Sequence, residues 1–506
     1  MGTMWRAARG VGRVANATSK AAVRAGQNIT DQQSRSRRNK AARYGVLGPG
    51  NSEPVGGVGD LLDYRGVASL NELSNLTGHS YTLGNAVDPV SWARGRQRQV
   101  EIGIPHELLR RHALVIGPSG SGKTESIIVP WIHTALMEQH TVVAIDAKGD
   151  LASKIQRYIA SHGSPGAQVR RWDYGNPTES KSWNWPSSLT SDQRIDSAVV
   201  AILGRDPSAS GGSIDPFFYR RDAEVLRGVL RYSTALHRGG VTAATLRRDL
   251  DQTELSRHLS GNAAFPGYVE LWPLVQLDPI DFQKSVMGTR VALASISSAP
   301  IEAVTSRSEI DLERTLDEPG LFLIGSPLEG GEMTDRLSSL ALSIIFQRLY
   351  ERLRATQPHP HVFLFIDEAS QILNRVDIAR AMTQLRSAGV SIVLGFQNIE
   401  QMSNENDRAT IVSNAAVQVF MRGVSEATAA HIEKRLGQRL QEKVSLSTAA
   451  QHSHRMTETH STDYVPVIRS REILQMPFGE PSALALVTDS RVTPKPILCD
   501  MKRLDL

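Results

Sequence analysis

The octapeptide GPSGSGKT, Gly117 to Thr124, constrains this chain more than any other stretch. It follows the short apolar run Ala113–Ile116, which reads as a buried strand, and precedes Glu125–Ile132, which reads as a helix. Strand, glycine loop and helix in that order are the context a phosphate-binding loop requires. Gly117, Gly120 and Gly122 let the backbone curl around Pro118, Ser119 and Ser121, so that N–H groups converge on a phosphate beside the positive end of the helix. On this reading Lys123 reaches the β- and γ-phosphates of a nucleoside triphosphate and the Thr124 hydroxyl sits on Mg²⁺. The competing reading is a glycine-rich turn with a chance lysine. Correct flanks on both sides weigh against it.

A second strong signal lies far downstream. Val362–Ile366 is a strongly apolar strand closed by Asp367 and Glu368. An aspartate at the end of such a strand lies beside the phosphate loop, where it holds Mg²⁺ through water, and its neighbour can polarise an attacking water. Two acids ending a strand also serve as a helix cap and its neighbour. The loop upstream favours the metal and water roles. Val390–Phe396 reads as a further buried strand, and Gln397 at its tip is placed to hydrogen-bond both water and γ-phosphate. A mundane polar strand end is the alternative. Arg386, on a helix read over 378–388, is either a solvated surface arginine or a cation that stabilises charge at a neighbouring subunit's phosphates.

Other strands read from apolar runs are Thr141–Ile145, Val169–Asp173 and Gly320–Gly325, giving an α/β chain whose ligands bind at the carboxyl ends of parallel strands. Asp146 ends its strand near the nucleotide, but Asp367 is the better magnesium candidate. Residues 188–305 lose the strand runs and gain helical periodicity, as at Val225, Leu226, Val229 and Leu230. They read as a mostly helical insertion. The expected division is a basic arm and linker over 1–60, the first part of a nucleotide domain over 61–187, the insertion over 188–305 and the second part over 306–506.

Composition excludes more than it names. Lys plus Arg number 57 against 52 Asp plus Glu, and the excess gathers at the N-terminus, where Asp31 is the only acid before residue 50. Arg6, Arg9, Arg13, Lys20 and Arg24 share one sector of a helical wheel, opposite a weak, mostly alanine face. Such an arm suits an anionic membrane or nucleic acid, or is simply a flexible basic tail; it also has the arginine-rich, acid-poor character of an organellar presequence. Cys499 is the only cysteine, which excludes an intrachain disulfide and a cysteine-built zinc site and fits a reducing, cytoplasmic compartment. No run approaches the roughly 20 apolar residues that cross a bilayer, so no membrane span is expected. His452, His454 and His460 fall in a stretch, Ser445–Asp463, read as a Ser/Thr/His-rich surface loop rather than a metal site.

Taken together, the motifs resemble those of the type IV secretion coupling proteins, the conjugative DNA-transfer ATPases of the VirD4, TraG and TraD kind. The resemblance rests on GPSGSGKT, Asp146–Asp150, a helical insertion, Phe365–Ala369, Gly395–Asn398 and a closing Pro466–Pro477 segment, and covers roughly residues 100–500. It implies a RecA-like P-loop NTPase domain with an inserted all-α domain, and a homo-hexamer with ATP and Mg²⁺ bound between subunits. Lys123 and Thr124 match the loop residues, Asp367 and Glu368 the acid pair, Gln397 the sensor and Arg386 the arginine finger acting in trans. Ala147 stands where the family usually carries proline. The implied activity is ATP hydrolysis that recruits and moves DNA, with a relaxase-bound single strand as the expected cargo, or protein substrates, into a secretion channel. Family members commonly begin with transmembrane helices, so a cytoplasmic or peripheral member is expected here, docked by a separate membrane anchor or by its basic arm on the inner face of the bacterial plasma membrane. A soluble double-stranded DNA motor of the HerA/FtsK kind and a nucleotide-gated platform that recruits secreted proteins are the competing functions.

Overall fold

A computed structural model describes residues 66–87, 99–205, 216–237, 239–327, 330–354, 359–373, 375–448, 456–476, 482–489 and 492–501. The basic arm, His452 and His454 lie outside the described residues.

Six of the chain's apolar runs become strands whose residues are all buried: β3 (Ala113–Ile116), β4 (Thr141–Asp146), β6 (Gly320–Gly325), β7 (Val362–Ile366), β8 (Val390–Phe396) and β9 (Val417–Met421). Burial on both faces is what unbroken Val, Ile, Leu and Phe runs require, and it is the mark of parallel strands covered by helices. With β5 (Gln168–Asp173) they form a parallel array in the order β9-β3-β8-β7-β4-β6-β5. Past β9 the sheet turns antiparallel through β12 (Ser482–Val487), β13 (Ile497–Asp500) and β1 (Tyr81–Val87), and ends on β2 (Gln99–Ile104). Among the described residues the sheet has 11 strands, and its antiparallel edge pairs an early segment with a late one, Asn85 opposite Asp500.

Between β5 and β6 every described element is helical. The principal helices run over Asp192–Leu203, Pro216–His237 and Pro279–Ala294, with shorter ones at Ala243–Asp249, Gln252–Leu259, Tyr268–Val275, Ala299–Thr305 and Leu312–Asp317. Their starts are written in the sequence. Ser191, Thr242, Asp251, Asp278 and Asp311 each accept a backbone N–H from the first turn, satisfying donors that a helix N-terminus leaves open.

The chain divides into two compact units. The larger comprises 70–86, 99–428 and 478–506, and so holds the whole helical segment and almost all of the large sheet. The smaller is built from 429–477 with, among the described residues outside that range, 66–69 and Val87. In it β10 (Gln438–Thr448) and β11 (Met456–Pro466) form an antiparallel hairpin. Most of the segment read as a Ser/Thr/His-rich loop, including His460, thus lies on strand backbone. Its threonines favour a pleated chain despite their polarity, which is why composition misled.

Candidate nucleotide-binding site

Parallel strands bring their carboxyl ends to one edge of a sheet, and that edge gathers most of the expected site residues. Val115 lies opposite Gly395, and Ile366 opposite Leu394, so β3, β8 and β7 end nearly level with β8 in the middle. The glycine loop leaves β3 with the Gly117 N–H donating to the Phe396 carbonyl at 3.0 Å, which fastens it to the residue before Gln397. Gly120 and Gly122 take φ values of 81° and 89°, a left-handed backbone that a side chain resists. The loop then enters a single π-turn, Thr124–Ile128, that continues as the helix Val129–Met137.

Lys123, Thr124, Asp367 and Glu368 are all buried. Thr124 Oγ1 donates to Asp367 Oδ2 at 2.8 Å. Lys123 Nζ donates to the carbonyls of Gly117, at 2.5 Å, and Pro118, at 3.3 Å. Burial lowers the pKa of Lys123, a tendency that the charges of Glu368 and Asp367 oppose. Gln397 Nε2 stands 3.5 Å from both Glu368 carboxylate oxygens, and its backbone N–H is held by Gln401.

Asp146 is spent on local structure. Its carboxylate accepts the N–H groups of Gly149, Leu151 and Ala152, tying the turn after β4 to the start of helix Leu151–His162. That turn aims Lys148 at the site, with Nζ 3.4 Å from Glu368 Oε1. Lys148 escaped the sequence reading because its partner is remote in the chain.

Gly395 escaped it too. A Cβ there would stand 2.3 Å from the Asp367 carbonyl oxygen, so only glycine lets β8 pass this close to the two acids.

Arg386 is not at this edge. The helix read over 378–388 ends at Gln384, and Arg386 follows in a 3₁₀ turn, Leu385–Ala388, before β8 begins. It lines a shallow cavity with Glu107, Arg110 and Arg111, at the amino ends of β3 and β8. The seven residues of β8, at about 3.3 Å each, put on the order of 20 Å between it and its own loop.

The donor set suits a magnesium ion. Asp367 Oδ1 is buried with no hydrogen-bond partner, beside the Thr124 hydroxyl on Oδ2, and oxygen donors of this kind are what a hard divalent cation takes.

Comparison with known proteins follows the same lines. Residues 72–262 match the family described as type IV secretory system conjugative DNA transfer, and residues 361–478 match the TraM recognition site of TraD and TraG. A VirD4 protein of Rhizobium rhizogenes is 25% identical over 348 residues, 65% of this chain. The chain belongs with the type IV coupling proteins. It spans about half, 49%, of that VirD4 relative's length. Among solved structures, the bacterial conjugative coupling protein TrwB in an unbound form superposes with a TM-score of 0.62 at 18% identity, over 87% of this chain and 93% of that one. TrwB in complex with ADP and Mg²⁺ gives 0.59 at 17%, over the same shares. The coupling-protein fold is thus the RecA-like P-loop fold with an all-α domain. Among the described residues of this coupling protein, no helix is long and apolar enough to cross a membrane.

Proposed function

We propose that this chain is an ATP-driven coupling protein that recruits DNA, with a relaxase-bound single strand as the main cargo, or secreted proteins, and drives them into a type IV secretion channel. The observation that carries this reading is the convergence of Lys123, Thr124, Asp367, Glu368 and Gln397 on one sheet edge, in a chain of the coupling-protein family.

In this scheme the loop Gly117–Thr124 cradles the phosphates of ATP, and Lys123 exchanges its backbone carbonyls for phosphate oxygens. Mg²⁺, held by Thr124 and Asp367, supplies charge neutralisation to the phosphates when bound. Glu368 polarises the attacking water, with Lys148 and Gln397 fixing its carboxylate, and Gln397 senses the γ-phosphate. Arg386 lies too far from its own loop to act there, which supports a role at the nucleotide of an adjacent subunit in a homo-hexamer. There it neutralises charge on the transferring phosphoryl group.

The division into a basic arm over 1–60, a nucleotide domain over 61–187 and 306–506, and an all-α domain over 188–305 belongs to the same reading. So does a peripheral position on the cytoplasmic face of the membrane, reached through a separate anchor or the basic arm. DNA contact runs mainly through Lys and Arg to phosphates, which makes it salt-sensitive and weakly sequence-selective.

The test is ATP turnover with and without single-stranded or duplex DNA, on the native chain and on Lys123→Ala and Glu368→Gln. Stimulation by single strands and loss of turnover in both variants are expected. Unchanged hydrolysis in Lys123→Ala sinks the assigned site, and indifference to DNA of either form sinks the DNA cargo.

A further inference from the structure

At the opposite edge of the parallel sheet from the glycine loop, three segments bring ionisable side chains together. His106 opens the short helix His106–Leu109, Glu138 caps the helix Val129–Met137, and His140 stands immediately before β4. One ligand atom from each lies within 4.8 Å of the others. Glu138 Oε2 is the centre of the group, 3.5 Å from His140 Nε2 and 4.0 Å from His106 Nδ1.

We propose that His106, Glu138 and His140 form a binding site for a first-row divalent transition ion of the zinc class, separate from the nucleotide.

The spacing argues for it. Ligand atoms about 2.0–2.2 Å from a tetrahedral ion stand about 3.4 Å apart, so His140 and Glu138, at 3.5 Å, need almost no movement, while His106 must close on them by about half an ångström or more. The ligand chemistry argues for it as well. Two imidazoles and a carboxylate are donors that zinc accepts. Tyr81 donates its hydroxyl to Glu138 Oε2 at 2.8 Å, the outer partner that orients a ligating carboxylate.

Packing alone explains less. Rings of Tyr81, His361 and Phe363 surround the group, and a buried aromatic cluster needs no ion. Tyr81 and His140 both aim a polar atom at one carboxylate oxygen, Glu138 Oε2, a convergence that ring packing by itself does not require. His106 turns Nδ1 toward the same oxygen, which leaves its Nε2 buried without a partner, as Nδ1 of His361 is. His361 stands outside the ligand set, its Nε2 held by Ser391 Oγ at 2.8 Å, so the fourth position goes to water. Partial exposure of all three ligands, between 17% and 32%, leaves the ion a way in. Nearby Arg110 is the one charge described as opposing a cation at both histidines.

Purified full-length chain, stripped with chelator and free of nucleotide, is titrated with Co²⁺ and read by visible absorbance, then with Zn²⁺ in competition. One equivalent of tetrahedral cobalt, displaced by zinc, is expected. The bands persist in Asp367→Asn, which removes the magnesium ligand at the other edge, and disappear in His140→Ala. His140→Cys retains the ion and adds a near-ultraviolet thiolate-to-cobalt band, a signal that a misfolded variant does not give. Tyr81→Phe weakens binding by about tenfold or more, as loss of an outer partner does. Absence of tetrahedral bands in the native chain overturns the proposal, as does their survival in His140→Ala.

Discussion

Gly395→Ala tests whether the placement of the two acids depends on how closely β8 passes them. The added methyl would lie 2.3 Å from the Asp367 carbonyl oxygen, 2.9 Å from its carbonyl carbon and 3.1 Å from its Cα. These are backbone atoms, so no side-chain rotation relieves the clash. Ordinary carbon-to-oxygen contact begins about 1 Å further out, and β8 is held between β3 and β7 by parallel hydrogen bonding on both sides. The strand ends must therefore separate by something near that amount, at a cost of about 1–3 kcal/mol for an overpacked interior. A catalytic group displaced by ~1 Å loses on the order of 10²-fold in rate. The expected result is a fall of about 10²-fold in ATP turnover, with nucleotide affinity changing far less and the thermal midpoint falling by a few degrees. Turnover is followed by phosphate release, and affinity by a fluorescent ATP analogue. Turnover within about threefold of the native chain would refute the argument, because Asp367 and Glu368 would then tolerate movement of the strand beside them.

Two further outcomes follow from the same geometry. Arg386→Ala and Lys123→Ala are each expected to lose about 10³-fold or more in turnover, and mixing the two proteins restores part of it, because an intact loop on one subunit then meets an intact arginine on the next. Failure of the mixture to recover any activity, with assembly confirmed by mass, removes the trans role. His112 is buried and neutral, with a pKa lowered to about 4 mainly by burial; the nearby charge of Arg386 lowers it further. The unfolded chain binds a proton below pH ~6.5 that the folded chain refuses, so this contribution is complete above that pH and is lost as pH falls towards 4, up to about 3 kcal/mol. Denaturant midpoints at pH 7 and pH 5 should therefore differ less in His112→Gln than in the native chain; an equal difference contradicts the assignment.

How much of this was legible in the sequence depends on which edge of the sheet a residue occupies. Gly117–Thr124, Asp367–Glu368 and Gln397 could all be read, because each directly follows a buried apolar run and the carboxyl ends of parallel strands share one edge. A local pattern was enough to predict a tertiary meeting. Nothing comparable organises the amino ends, where chain enters each strand from a different helix or turn. His106, Glu138 and His140 meet there because Pro105 starts a helix, another helix stops at Met137, and the pairing of Thr141 with Val362 fixes β4 beside β7. None of those conditions is a motif. Arg386 belongs to the same edge, and local sequence left a trans cation and a surface arginine as equal readings; the family resemblance favoured the first. Lys148 and Gly395 show a second limit, since each matters through one partner far along the chain, at a distance no periodicity encodes. The hairpin of β10 and β11 shows a third: its threonines were read for polarity, when their β-branching carried the structural information. Sequence reading therefore recovers chemistry that the fold concentrates by rule, and misses chemistry that depends on which two remote segments happen to be paired.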